Sequence, residues 1–247
     1  MSIESESDVR GLRAVGRVVS ETLARLQAHA RAGITTGELD DIASLVFREH
    51  GARSGPALDY DYPGTICISV NEEAVHGIPG PRVLAPGDVV TVDVTAELDG
   101  YYADAAVTVP LPPVSPQVRR LCACAEAAFW TAAKQARHGL PLQKLGRIIE
   151  AEVWRRGFRV LRDLQGHGVG RRVHEEPGVP NWPDPHTHGM LTEGLVITVE
   201  PIISVSSNES RLLRDGWTVV SADGSLTAHF EHTLVIRRGA PTLLTAA

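Results

Sequence analysis

A chain of 247 residues that is 43% hydrophobic and 22% charged has the composition of a folded globular protein, which excludes disorder as the default. Its net charge of −6, without a basic stripe, argues against nucleic acid as a substrate, and no apolar run reaches the roughly 18 residues of a membrane span. The opening MSIESESDVRGLRAV lacks a signal-peptide pattern, and three cysteines, Cys67, Cys122 and Cys124, are too few for a disulfide framework, so a cytoplasmic chain is expected.

In chain order, a long helix over about 8–31 is expected to end at a Gly33 C-cap. A second helix follows, with Thr35 and Glu38 at capping-box spacing and a buried stripe at Leu39, Ile42, Leu45 and Val46. Strand-like sequence covers 64–70 and then 89–109, VVTVDVTAELDGYYADAAVTV. If Asp99-Gly100 is a two-residue hairpin turn, Leu98 pairs with Tyr101 and Thr95 with Asp104. Asp93 shares the face of Thr95, so Asp93 and Asp104 become diagonal neighbours, roughly 7–8 Å apart at Cα. Two carboxylates this close repel unless a cation lies between them, and a divalent metal or a pair of them answers the problem.

The second half repeats the first. Arg31, Gly33, Ile34, Leu39, Ile42 and Gly51 match Arg137, Gly139, Leu140, Leu145, Ile148 and Gly157, each pair offset by 106. A long helix over 116–138 is expected to end at Gly139, and Cys122 and Cys124 read as its packing residues. His76-Gly-Ile-Pro-Gly and His174-Glu-Glu-Pro-Gly share an H-x-x-P-G pattern. Residues 177–188, PGVPNWPDPHTH, read as a surface loop, and strands follow over 195–205 and 217–237 with a second hairpin turning at Asp223-Gly224. Asp93 in VDV then corresponds to Glu200 in VEP, and Asp104 to Glu231, so a duplication packed about a pseudo-twofold axis gathers four carboxylates at one centre. One domain over 1–247, with repeats at roughly 8–110 and 115–237, is the expected organisation.

A lone acid in an apolar strand is more often solvated or bonded to backbone, but four at symmetry-related places need compensating charge. His167, flanked by glycines, adds a nitrogen donor. Asp93, Asp104, His167, Glu200 and Glu231 form an oxygen-rich set suited to manganese, iron, cobalt or zinc in a bridged pair that activates water for hydrolysis. His76 and His174 read as groups contacting substrate. His232 points to the opposite face and is structural, and His186 and His188 are solvated.

NEEAVHGIPG, VDVTAELDGYYADAAVT, GHGVGRRVHEEP, VITVEP and DGWTVVSADGSLTAHFEHT, in this order, resemble the type I methionine aminopeptidases over residues 8–237. The resemblance implies an α+β pita-bread fold, a pseudo-twofold duplication with a central antiparallel sheet and outer helices. It implies that Asp93 chelates one of two divalent ions, that Asp104 and Glu231 bridge both, and that His167 and Glu200 bind the other. By the same resemblance water activated at the metals hydrolyses the first peptide bond, Glu200 relays the proton, and His76 and His174 contact the peptide, with His174 donating to the oxyanion. The free α-amine is expected near Asp93, and the methionine in a pocket formed by Tyr60, Tyr62, Cys67 and Trp217. Nascent polypeptide N-termini with a small second residue, transient ribosome association and a monomeric chain are implied as well. Three positions depart from the family's usual pattern: Val173 stands where bacterial relatives commonly have an aromatic, His229 replaces a common glutamine, and LDYDYP is one residue shorter than in some relatives.

Proline-directed aminopeptidases and dipeptidases share this fold and ligand set but usually carry a large extra N-terminal domain. A binding protein that reuses the fold without catalysis is the rival of another class. Such proteins are expected to have lost ligands, whereas all five positions are occupied here.

Overall fold

A computed structural model describes residues 1–246. The first half runs α1 (Glu6–His29), α2 (Thr36–His50), β1 (Arg53–Ser54), α3 (Gly55–Tyr60), β2 (Cys67–Val70), β3 (Glu73–Val75), β4 (Val89–Leu98) and β5 (Tyr101–Pro110). The second runs α4 (Pro116–Ala133), α5 (Leu142–Arg155), β6 (Arg159–Val160), β7 (Gln165–Gly168), β8 (Glu175–Pro180), β9 (Val196–Val199), β10 (Ile202–Ser204), β11 (Ser210–Leu212), β12 (Val219–Ser221), β13 (Thr227–His229), β14 (His232–Val235) and β15 (Thr242–Leu243).

Helix starts follow the capping chemistry. Ser5 accepts from the Asp8 N–H and Thr35 from that of Glu38, and both caps are reciprocated by the acidic side chain, so α1 begins two residues before the expected start. The glycines expected at the C-caps of the long helices lie further on. α1 stops at Ala30 and α4 at Lys134, and Gly33 and Gly139 instead take φ of 92° and 84° in the turns leading to the next helices. Those turns are built alike. Gly33 N–H donates to the Leu84 carbonyl and Leu84 N–H to Ile34, while Gly139 donates to Leu191 and Leu191 to Leu140.

β4 is the centre of an antiparallel sheet with β1, β2 and β5, and its hairpin with β5 has the expected register: Leu98 opposite Tyr101 and Thr95 opposite Asp104. Asp99 and Gly100 both take positive φ, as a type I′ turn requires. The second half orders its largest sheet β15-β14-β9-β7-β8. The expected second hairpin at Asp223-Gly224 does not form. Gly224 closes a turn onto Ser221, but β12 pairs with β11 and β3 while β13 pairs with β10. The chain changes sheet there because β12 is already flanked by β11 and β3, so β13 pairs with β10 instead.

The sheets meet at one seam. Ala106 and Glu231 exchange backbone hydrogen bonds, next to a bridge between Val107 and Phe230. Helices α1 and α2 cover one side through Val15, Leu26, Leu39 and Phe47, and α4 and α5 cover the other through Leu121, Phe129, Leu145 and Ile149. Each helix pair buries an apolar stripe against its own strands, which leaves the strand faces at the seam free to carry polar groups. The Pro-rich stretch is only partly a surface loop: Pro177–Pro180 belong to β8 and Asn181 is fully buried, while His186 and His188 are exposed. Among the described residues no helix is long and apolar enough to cross a membrane.

Candidate active site

Asp93 and Asp104 project from the β4–β5 hairpin, His167 from β7, Glu200 from the break between β9 and β10, and Glu231 from the break between β13 and β14. Pro201 has no N–H to continue the ladder, so the chain is freed at Glu200. His167 Nε2 lies 3.5 Å from Glu200 Oε1 and 4.0 Å from Asp104 Oδ2. Its Nδ1 is 2.9 Å from the Gly168 carbonyl, which can only accept. Nδ1 therefore carries the hydrogen, and the Nε2 lone pair faces the carboxylates.

The carboxylates are poorly satisfied by protein. Asp93 Oδ1, Asp104 Oδ1 and Glu231 Oε1 are buried without a hydrogen-bond partner among the described residues. Burial, then repulsion from Asp104 and Glu200, pushes Asp93 well above the usual carboxylate range. Glu231 is driven up by burial and by Asp104, Glu200 and Asp93, and Glu200 by burial against the opposing Thr198 hydroxyl. Burial lowers the His167 imidazole to about 3, with His174 adding to the effect. A neutral nitrogen with its lone pair turned inward, amid oxygens that repel one another and lack donors, fits divalent cations. Asp104, His167 and Glu231 bring one ligand atom each within 4.8 Å of one another, and so do Glu200, His229 and Glu231.

A cavity of about 280 Å³ opens over this cluster. Tyr60, Tyr62, Cys67, His76, Asp93, Asp104, His167, His174, Glu200, Trp217 and Glu231, all singled out from sequence, line it together with Pro56, Val75, Thr95 and Val173. Tyr62 is buried, donates to the Gly77 carbonyl at 2.7 Å and meets Trp217 edge to face at 5.1 Å. Cys67 is buried beside Asp93, and burial pushes its thiol up, so it stays a neutral apolar surface. Tyr60 stands at the mouth with its hydroxyl 2.7 Å from His174 Nδ1, and the His174 ring is tilted against that of His167 at 4.2 Å. His76 holds φ of 59°, and burial with His174 nearby lowers it to about 4. His232 faces away, bonded to Thr245 and packed on Phe129.

Several supporting residues carry little or no signal in the sequence. The Thr198 hydroxyl accepts from His167 N–H at 3.0 Å and donates to Glu200 Oε1 at 2.7 Å, tying two candidate ligands together. Thr233 brackets the Asp104 backbone, accepting from its N–H and donating to its carbonyl. Asp59 accepts from Tyr102 of the hairpin and from Val173 N–H, so it fixes the loop that carries His174. A threonine two residues before a carboxylate on a strand shares its face, and that spacing was the only available hint of Thr198.

An acid-and-imidazole cluster at the floor of an apolar-walled cavity, on a pita-bread α+β fold, defines a metal-dependent hydrolase. The chain belongs to metallopeptidase family M24, whose family model matches residues 10–238. It is 38% identical to methionine aminopeptidase 2 of Bacillus subtilis over 99% of both chains, and 36% identical to a methionine aminopeptidase of Helicobacter pylori over 99% of this chain and 98% of that one. The crystal structure of a methionine aminopeptidase from Thermotoga maritima superposes with a TM-score of 0.96 at 33% identity, covering all of both chains.

Proposed function

We propose that this metallopeptidase removes the N-terminal methionine from nascent proteins and peptides, using two divalent ions and preferring a small second residue. The observation that carries the reading is the convergence of five carboxylate and imidazole groups beneath a cavity walled by Tyr62, Cys67 and Trp217, whose apolar and sulfur surfaces suit a thioether. Full-length similarity to methionine aminopeptidases supports it against a proline-directed peptidase.

In this reading Asp93, Asp104, His167, Glu200 and Glu231 hold the ions, manganese, iron, cobalt or zinc according to supply. When bound, the ions supply Lewis acidity and a water of lowered pKa. Asp93 orients the free α-amine, which restricts cleavage to a chain terminus. Glu200, its Oε1 already held by Thr198, passes the proton from the attacking water to the leaving amine through Oε2. Tyr60 donates to His174 Nδ1, which leaves Nε2–H to stabilise the developing oxyanion. His76, kept neutral by burial, positions the substrate peptide. Val173, shorter than an aromatic, widens the wall beside the second residue. Residues 1–247 act as one domain with repeats at 8–110 and 115–237, as a cytoplasmic monomer that meets the ribosome transiently.

The test is release of free methionine from Met-Ala-Ser and Met-Pro peptides by metal-stripped protein titrated with each cation, beside an N-acetylated control. Metal-dependent release from the free-amine peptides alone is expected. Folded protein that releases none with any metal overturns the reading.

A further inference from the structure

His229 is the buried group that the five-ligand scheme leaves without a task. It ends β13 opposite Ile202, and its backbone is pinned on both sides by Thr108, which accepts from its N–H at 2.8 Å and donates to its carbonyl at 2.9 Å. The side chain is 1% exposed, and neither ring nitrogen has a hydrogen-bond partner among the described residues. Structural histidines elsewhere in this chain are bonded: His232 to Thr245, and His29 to the Arg25 carbonyl. His229 Nε2 points instead between two candidate ligands, 3.4 Å from Glu231 Oε2 and 3.8 Å from Glu200 Oε2.

We propose that His229 is a sixth protein ligand, giving the ion held by Glu200 and Glu231 a second imidazole nitrogen beside that of His167. This rests on the metallopeptidase reading and goes beyond it, because the resemblance places a glutamine at this position and assigns it no ligand. The geometry supports the assignment twice. Glu200, His229 and Glu231 close to within 4.8 Å of one another, the same spacing that unites Asp104, His167 and Glu231. Both trios use Glu231, so the two imidazoles approach one shared carboxylate. A metal would also satisfy the orphaned Nε2 and leave only Nδ1 without a partner.

The chemical consequence is selectivity. Imidazole suits iron, cobalt and zinc, whereas manganese is content with carboxylates and water, so adding a second ring nitrogen tilts the site away from manganese. The experiment compares metal-stripped wild type with His229→Gln by calorimetric titration of cobalt and of manganese, together with the visible spectrum of the cobalt-loaded proteins. The variant should lose about tenfold or more in cobalt affinity and less than about threefold in manganese affinity, with a changed cobalt spectrum. An unchanged affinity ratio and spectrum in folded variant would overturn the proposal. Should His229→Gln fail to fold, pulsed EPR on manganese-loaded wild type decides alone: two imidazole nitrogens coupled to the metal support the assignment, and one refutes it. Wild type that binds neither metal would overturn the metallopeptidase reading itself, an outcome distinct from metal binding that ignores residue 229.

Discussion

The first half of the chain presents its candidate ligands from the middle of a regular hairpin of two ten-residue strands, whereas the second half presents Glu200 and Glu231 from breaks between strands of three or four residues. The sequence repeat runs through both, yet the β4–β5 ladder is continuous while its counterpart is divided between two sheets. A regular ladder fixes two carboxylates at diagonal spacing through the pleat alone. A broken one lets Glu200 and Glu231 leave the ladder and turn toward the same centre, with Thr198 to orient one of them. The duplicated unit thus yields one rigid set of ligands and one adaptable set.

The comparison breaks most severely at Asp104, the rigid ligand between the others. Asp104→Asn should abolish methionine release and weaken metal binding by more than the roughly 10–100-fold that outer partners alone contribute, as seen by peptide assay and metal titration. If metal binding is kept, the hairpin is not the shared support. The helical layers should behave as equals: Leu39 and Leu145, matched in the repeat and both fully buried, should each cost about 2–5 kcal/mol on mutation to alanine, measured by urea denaturation. A large difference would show that one half is stabilised by something other than its core. Thr91 and Thr198 sharpen the contrast, since each stands two residues before a candidate ligand. Thr198→Val should reduce metal affinity by about tenfold, because it removes the hydroxyl shared by His167 and Glu200. Thr91→Val loses only a bond to Thr108 and should cost about 1 kcal/mol of stability with metal affinity unchanged.

The smallest expected effect is a pH dependence. Asp93, Glu200 and Glu231 have raised pKa values in the metal-free fold, so the stability they contribute is fully present below their unfolded pKa and is lost as pH rises through the raised values. Stripped protein should therefore melt earlier as pH increases, while metal affinity climbs and binding releases protons, detectable by calorimetry in buffers of different ionisation enthalpy. His167 and His229 act with the opposite sign. Both are lowered to about 3, so their contribution is lost as pH falls below the ordinary imidazole range.

The same contrast explains what could be read in advance. Asp99-Gly100 pins a register, so the pairing of Thr95 with Asp104 follows by counting, and the structure has that pairing. Asp223-Gly224 looks alike in sequence, but the strand before it already pairs with β11, which directly precedes it, and with β3 from the first half, a distant partner that local sequence does not specify. All the expected cavity residues gather around one space because the repeat and the motifs place them on faces. Asp59 and Thr233 are silent in the sequence because their value lies in contacts across the seam, to Val173 and Asp104, and Thr198 because its value lies in a contact to His167 on a neighbouring strand. His229 was visible as a substitution in a motif, but its unpaired nitrogens were not.

The hydrogen bonds exchanged by Ala106 and Glu231 set an order of events during folding. Neither half alone can bring all four carboxylates together, and the contacts that do so join residues more than a hundred positions apart, the kind that form late. Capture of the ions should therefore follow the docking of the two halves, and a chain still emerging from synthesis should remain metal-free until its last strands have been laid down.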